Sequence, residues 1–147
     1  MAKFIYRMQS ILDIKIKMED QAKTEFATAK MHLDEEEEKL QYLKDRKAGY
    51  ENRGRELRRD SLKVFEILEN RDAIERMEEF ILVQMRKVAK AEEQLEEARK
   101  RLTEAMQESK THEKLREKAF DEFLHEENAR EAKEVDELTS YTHSRKS

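Results

Sequence analysis

Proline is absent from this 147-residue chain, and glycine occurs twice. At average usage a chain of this length would carry roughly 7 Pro and 10 Gly. Proline breaks helices and glycine weakens them, so nearly every interruption to helical structure has been removed. Good helix formers (Ala, Glu, Lys, Arg, Leu, Gln and Met) fill most of the positions that remain. Only 37% of the residues are hydrophobic against 45% charged, and there is no Trp, which predicts long helices rather than a compact globule.

The absence of Cys excludes a disulfide framework and thiolate metal sites, and fits a reducing compartment. The opening "MAKFIYRMQSILDIKIKMED" is expected not to be a signal peptide, because Arg7, Asp13, Lys15 and Lys17 break up any apolar core. No apolar run approaches the roughly 20 residues that cross a bilayer. The expectation is a cytoplasmic protein without direct membrane insertion. Net charge is −4, from 31 basic and 35 acidic residues, which gives no global attraction to nucleic acid or anionic lipid.

Heptad spacing can be followed through both halves of the chain. Steps of four and three visit Ala22, Phe26, Ala29, Leu33, Glu36, Leu40, Leu43, Lys47, Tyr50, Gly54 and Leu57. Upstream, the same steps visit Phe4, Met8, Ile11, Lys15, Met18 and Ala22. The two tracks join by consecutive steps of four at 18, 22 and 26, a stutter that would locally unwind a supercoil. In the second half the track is Ile74, Met77, Ile81, Gln84, Val88, Ala91, Leu95, Ala98, Leu102 and Ala105. It weakens at Ser109, His112 and Arg116 and resumes at Ala119 and Phe123, with Val135 and Leu138 further on.

Both glycines, Gly49 and Gly54, fall between the halves, where they read as turn residues, and Asp60-Ser61 and Asn70 are candidate helix N-caps. The expected architecture is all-α: an elongated antiparallel two-helix coiled-coil hairpin forming a single domain over 1–147. Helix one covers about 3–57 and helix two about 71–140, with a frayed tail over 141–147. The connection near 58–70 holds a turn near 58–61 and a short helical piece over 62–69. A parallel dimer of one long bent helix is the alternative architecture.

The chain offers little chemistry. Its histidines, at 32, 112, 125 and 143, include no pair four apart to hold a metal on one helix face. Glu122-x-x-His125 matches one half of a di-iron motif, but no second copy accompanies it. Gly49 and Gly54 have phosphate-loop spacing, yet Arg55-Glu56 follows where Lys and Ser or Thr are needed. Neither an enzyme nor a cofactor is expected.

Two charged features stand out. Arg53, Arg55, Arg58 and Arg59 crowd the turn, either as a solvated tip or as a docking tip for an acidic surface. Asp34-Glu35-Glu36-Glu37-Glu38 is an acidic block, read as a solvated face or one side of an ionic interface. The arginines are also the sole support for a nucleic-acid-binding arm, against which the acidic balance argues.

The two ends carry a resemblance. The opening "FIYRMQSILDIKIKMEDQAKTEFATAK" and the closing "KAFDEFLHEENAREAKEVDELTSY", with its EEN-x-x-E-x-K-E-x-D-E pattern, resemble the flagellar export protein FliJ family over the whole chain. The resemblance implies a non-enzymatic component of the flagellar type III export apparatus, an antiparallel coiled coil similar to the central stalk of rotary ATPases. It implies that one end enters the export ATPase ring, that another surface meets the cytoplasmic domain of the membrane export gate, and that chaperones of late substrates are further partners. The protein would then be cytoplasmic, held peripherally at the inner face of the membrane at the flagellar base.

Phe80, in "EEFI", matches an aromatic of the gate-binding surface of that family, although Gln84 and Lys87 stand where a more apolar surface is expected. Leu82 and Val83 join Phe80 as candidates on physical grounds: four apolar residues in a row wrap a helix, so some of them must face away from its partner. The alternative cover for them is the chain's own Phe65, Ile67 and Leu68 folding back. At the other end Phe4, Ile5, Tyr6, Ile11 and Leu12 are candidates for the ATPase contact, because the opening is apolar well beyond its heptad stripe.

Overall fold

A computed structural model describes residues 2–59 and 63–146. Two helices hold almost all of them: α1, Gln9–Arg59, and α2, Val64–Lys146. No described residue lies in a strand. The contacts form two compact units, a central one of Ala22–Leu102 and a terminal one of Met1–Gln21 with Thr103–Ser147.

Within each unit the helices run antiparallel, because partners move down α2 as they move up α1. In the central unit Glu25 meets Arg101 at 3.7 Å, Lys47 meets Glu78 at 3.4 Å, and the Tyr50 carbonyl accepts from Asn70 at 2.8 Å. In the terminal unit Gln9 Oε1 accepts from Arg116 Nε at 2.9 Å and Lys15 Nζ donates to Glu108 at 2.8 Å. The result is the expected antiparallel coiled-coil hairpin, not a bent single helix.

The turned-in residues of α1 repeat every seven positions without a break. One set is 12, 19, 26, 33, 40, 47 and 54; the other is 15, 22, 29, 36, 43, 50 and 57, all buried or half-buried. The expected stutter at 18, 22 and 26 is therefore absent. Leu12 is 3% exposed, whereas Met8, Ile11 and Met18, assigned to the seam by the sequence, lie outside it. The cause is the facing helix. The repeat of α2 stays in phase from Ile74 to His112, so a shift in one helix alone would break register with the other. Of the expected weakening at Ser109, His112 and Arg116, only Arg116 leaves the seam, being exposed, while Ser109 is 2% exposed and His112 half-buried. Val135 and Leu138, expected to continue the seam, are exposed because nothing of α1 lies against that part of α2 among the described residues. Polar Lys15 and Glu19 are tolerated at seam edges because long side chains bury their stems and keep their heads wet.

One buried polar pair interrupts the apolar seam of the central unit. Gln84 Nε2 donates to the Glu36 main-chain carbonyl at 2.9 Å and to the Glu36 carboxylate. Lys39 Nζ stands 3.6 Å from the other carboxylate oxygen. A slipped register would leave both buried groups without partners, so the pair specifies alignment. The hydrogen bond from Gln84 is the main cause that holds the Glu36 carboxyl below its ordinary range, with burial opposing it.

Both glycines lie inside α1 with helical backbone, not in a turn. Gly54 is buried, and a Cβ there would come within 2.5 Å of Asn70 Oδ1. Asn70 is therefore no N-cap. It sits within α2, fills the space Gly54 leaves, and bonds across to Tyr50. Gly49 has nothing within 4 Å of a built Cβ.

The ends also differ from expectation. Residues 3–8 are not helical; the chain there lets Phe4 reach Phe120 and Phe123, at ring distances of 5.1 and 5.4 Å. The expected short piece and helix two are one helix, which begins at Val64, and helix runs on through the tail to Lys146. Arg58 and Arg59 belong to the last turn of α1, while Asp60 and Ser61 lie outside the described residues.

Two outcomes follow from this packing. Gly49→Ala should stabilise the dilute protein by up to about 1 kcal/mol, the helical cost of glycine relative to alanine. Gly54→Ala should instead destabilise it, because Asn70 must move and its bond to Tyr50, worth about 0.5–1.5 kcal/mol, is lost. Thermal unfolding of both variants checks the opposite signs. The Glu36 carboxyl is lowered in the fold, so its stabilisation is present above the unfolded carboxylate value and is lost as pH falls below it through the lowered folded value. The drop in melting temperature between pH 7 and about pH 4, just below the unfolded Glu value, should thus be smaller in Glu36→Gln than in the natural chain.

Candidate partner-binding surfaces

The run Phe80-Ile81-Leu82-Val83 divides around α2. Ile81 is half-buried, while Phe80, Leu82 and Val83 are 53%, 57% and 49% exposed. At about 100° per residue, Phe80 and Val83 share one flank, and Leu82 stands about 160° around from Phe80. Leu82 instead shares its side with Met85, three positions on and also exposed. The three candidate gate residues therefore form two flanks rather than one patch. The fold-back cover is excluded: Phe65, Ile67 and Leu68 lie on the same continuous helix, with Phe65 and Leu68 themselves exposed.

In the terminal unit the five candidates also separate. Leu12 is core. Phe4 is half-buried against the two phenylalanines of α2, with the Arg116 guanidinium 5.6 Å over its ring. Tyr6 is half-buried, and its carbonyl accepts from the Gln9 main-chain N–H at 3.2 Å. Ile5 and Ile11 remain exposed, and Ile11 belongs to a row with Met8, Ile14 and Met18 that is likewise exposed. The opening of the chain thus carries two apolar stripes: Leu12 and Ile16 turn inward, and the row through Ile11 faces water. An open groove of about 430 Å³ lies beside Phe4 and Phe123.

The four tip arginines are exposed in the last turns of α1. Successive rotation spreads them around the helix instead of gathering them on one face. Arg55 donates to Asn52 at 3.1 Å, and Arg58 and Arg59 complement the negative helix end. Arg53 borders a groove that also holds Glu66, Glu69 and Asp72, so acids of α2 dilute the basic tip. The acidic block divides too: Glu36 turns inward to Gln84, while Asp34, Glu35, Glu37 and Glu38 are exposed.

One feature escaped the sequence reading. Arg46 reaches both ways along α1, donating to the hydroxyls of Tyr42 at 3.3 Å and Tyr50 at 2.9 Å. Its guanidinium lies 5.9 and 5.7 Å from the two ring centres. The tyrosine hydroxyls raise the Arg46 pKa above its ordinary value. The spacing of four between each pair was the available signal, masked because Tyr50 also counts as a seam residue.

Among the described residues no cluster of His, Cys, Asp or Glu can hold a metal ion, and no helix is long and apolar enough to cross a membrane.

The sequence profile of the flagellar FliJ protein family matches residues 4–147. Comparison with curated protein sequences gives no match. Among solved structures, a protein of Chlamydia trachomatis described as the YscO homologue CT670 superposes with a TM-score of 0.74 at 25% identity, over 97% of this chain and 96% of that one. With its two antiparallel helices and a profile match from Phe4 onward, the chain belongs to the FliJ family of flagellar type III export components.

Proposed function

We propose that the chain is a non-enzymatic adaptor of flagellar protein export, engaging the export ATPase ring through its terminal unit and the cytoplasmic domain of the export gate through its central unit. The observation that carries this reading is the row Met8, Ile11, Ile14 and Met18, exposed beside an already complete seam. The intramolecular packing of the chain uses Leu12 and Ile16 and leaves this row without a role. An apolar row of this kind on an otherwise charged helix marks a protein contact. The family supports the assignment to export, and the Chlamydia neighbour supports it from the related type III secretion systems. Chaperones of exported substrates are further candidate partners. The protein then works on the cytoplasmic side of the membrane, held there by its contact with the gate.

For the gate, Phe80 with Val83 is the favoured flank, because an exposed aromatic anchor beside a β-branched residue offers the most apolar area there.

Ile11→Glu should abolish co-purification with the cognate export ATPase and any stimulation of its hydrolysis, with the melting temperature unchanged. If the natural chain neither binds nor stimulates that ATPase, the ATPase contact is refuted. On the gate side, Phe80→Ala should weaken binding to the gate's cytoplasmic domain by about 2 kcal/mol, roughly 30-fold, as loss of an aromatic anchor does. Leu82→Ala, on the other flank, should leave it within about twofold. Equal losses from both variants, read by titration calorimetry, would exclude a one-flank contact.

A further inference from the structure

The outward face of α1 in the central unit carries a self-complementary pattern. Glu38, Tyr42, Asp45, Arg46, Gly49 and Arg53 fall within about 100° of one another around the helix, so they share one side of it, and all six are exposed. The seam residues Glu36, Leu40, Leu43, Lys47, Tyr50 and Gly54 occupy the other side, all buried or half-buried.

Gly49 is the anomaly on this face. It has no positive φ, and, its own helical turns apart, no described atom lies within 4 Å of where its Cβ would stand. Gly54 is accounted for by Asn70; no residue accounts for Gly49. A glycine in the middle of a helix costs stability and leaves room for a second backbone or side chain to come close. Tyr42, two turns away and 60% exposed, is the largest side chain on the face. Arg46 holds the Tyr42 hydroxyl at 3.3 Å, so the ring is fixed in advance. Glu38 and Arg53 are both exposed and, among the described residues, neither makes an ion pair.

We infer that two copies of this chain associate through this face, α1 against α1 and antiparallel, with Tyr42 of each seated over Gly49 of the other. Laying the helix against a reversed copy of itself in that register sets Glu38 opposite Arg53 and Asp45 opposite Arg46. The three pairings are nested about a single centre, between residues 45 and 46. A two-fold axis requires this: each contact occurs twice, and position i meets j as j meets i. Charges of opposite sign then flank a central knob in a hole. The contact spans sixteen residues from Glu38 to Arg53, about 22 Å of helix, which places it with small, reversible interfaces.

Sedimentation velocity of the full chain over a wide concentration range tests this. The natural chain is expected to pass from monomer to dimer at high micromolar concentration. Gly49→Leu fills the hole and should raise the midpoint at least tenfold, with helix content and melting temperature not reduced. Glu38→Arg and Arg53→Glu should each remain monomeric alone, because like charges meet twice. Mixed in equal amounts they should associate again, because both pairs are then complementary. A chain that stays monomeric throughout overturns the inference. So does a dimer indifferent to Gly49→Leu, or a mixture of the two charge variants that fails to associate. If Gly49→Leu weakens binding to the export-gate domain while the natural chain alone stays monomeric, the face belongs to that partner instead.

Discussion

Everything in this protein depends on phase agreement between two heptad repeats. The α2 repeat runs unbroken from Ile74 to His112, and α1 matches it from Leu12 to Leu57. Two helices can stay in contact over many turns only if their stripes rotate together. Once α2 keeps a strict seven-residue period, α1 has no freedom to shift its own. The agreement decides which side chains are core, and what is left over decides which surfaces are open.

This explains how the sequence was legible and where it was not. The missing proline, the scarcity of glycine and the tracks through Ala22–Leu57 and Ile74–Ala105 pointed to two long paired helices, although the glycines themselves do not form the turn. The opening segment misled because it offers two apolar series, one through Leu12 and Ile16, the other through Met8, Ile11 and Met18. Read alone, α1 fits either. Only the partner helix chooses, and it chose the series containing Lys15 and Glu19. Gly54 and Asn70 misled for a related reason. Glycine suggests a turn and Asn a cap, but here each is the other's complement across a close helix contact. A pairwise fit of that kind has no signature in either residue alone.

The candidate site was legible in part. The surplus of apolar residues at Phe80–Val83 was visible, since four in a row cannot all face inward. That they divide into two flanks follows only from knowing which direction is inward, and Ile81 and Gln84 supply it. At the other end, the aromatic contact of Phe4 with Phe120 and Phe123 joins residues more than a hundred positions apart, and no local pattern announces it.

The last stretch of α2 has a consequence of its own. From Asn128 to Arg145 every residue is exposed, so tertiary packing contributes almost nothing to keeping that stretch helical. Its order rests on main-chain hydrogen bonds, on pairs such as Arg130 with Glu127 at 3.1 Å, and on propensity. Segments held this way open at little free-energy cost and reform within microseconds. A partner that captures the stretch as helix must suppress that opening, which subtracts from affinity and favours quick release. Val135, Leu138 and Tyr141, three positions apart and all exposed, share one side of the stretch only while it is helical, so that apolar surface exists and dissolves with the helix itself.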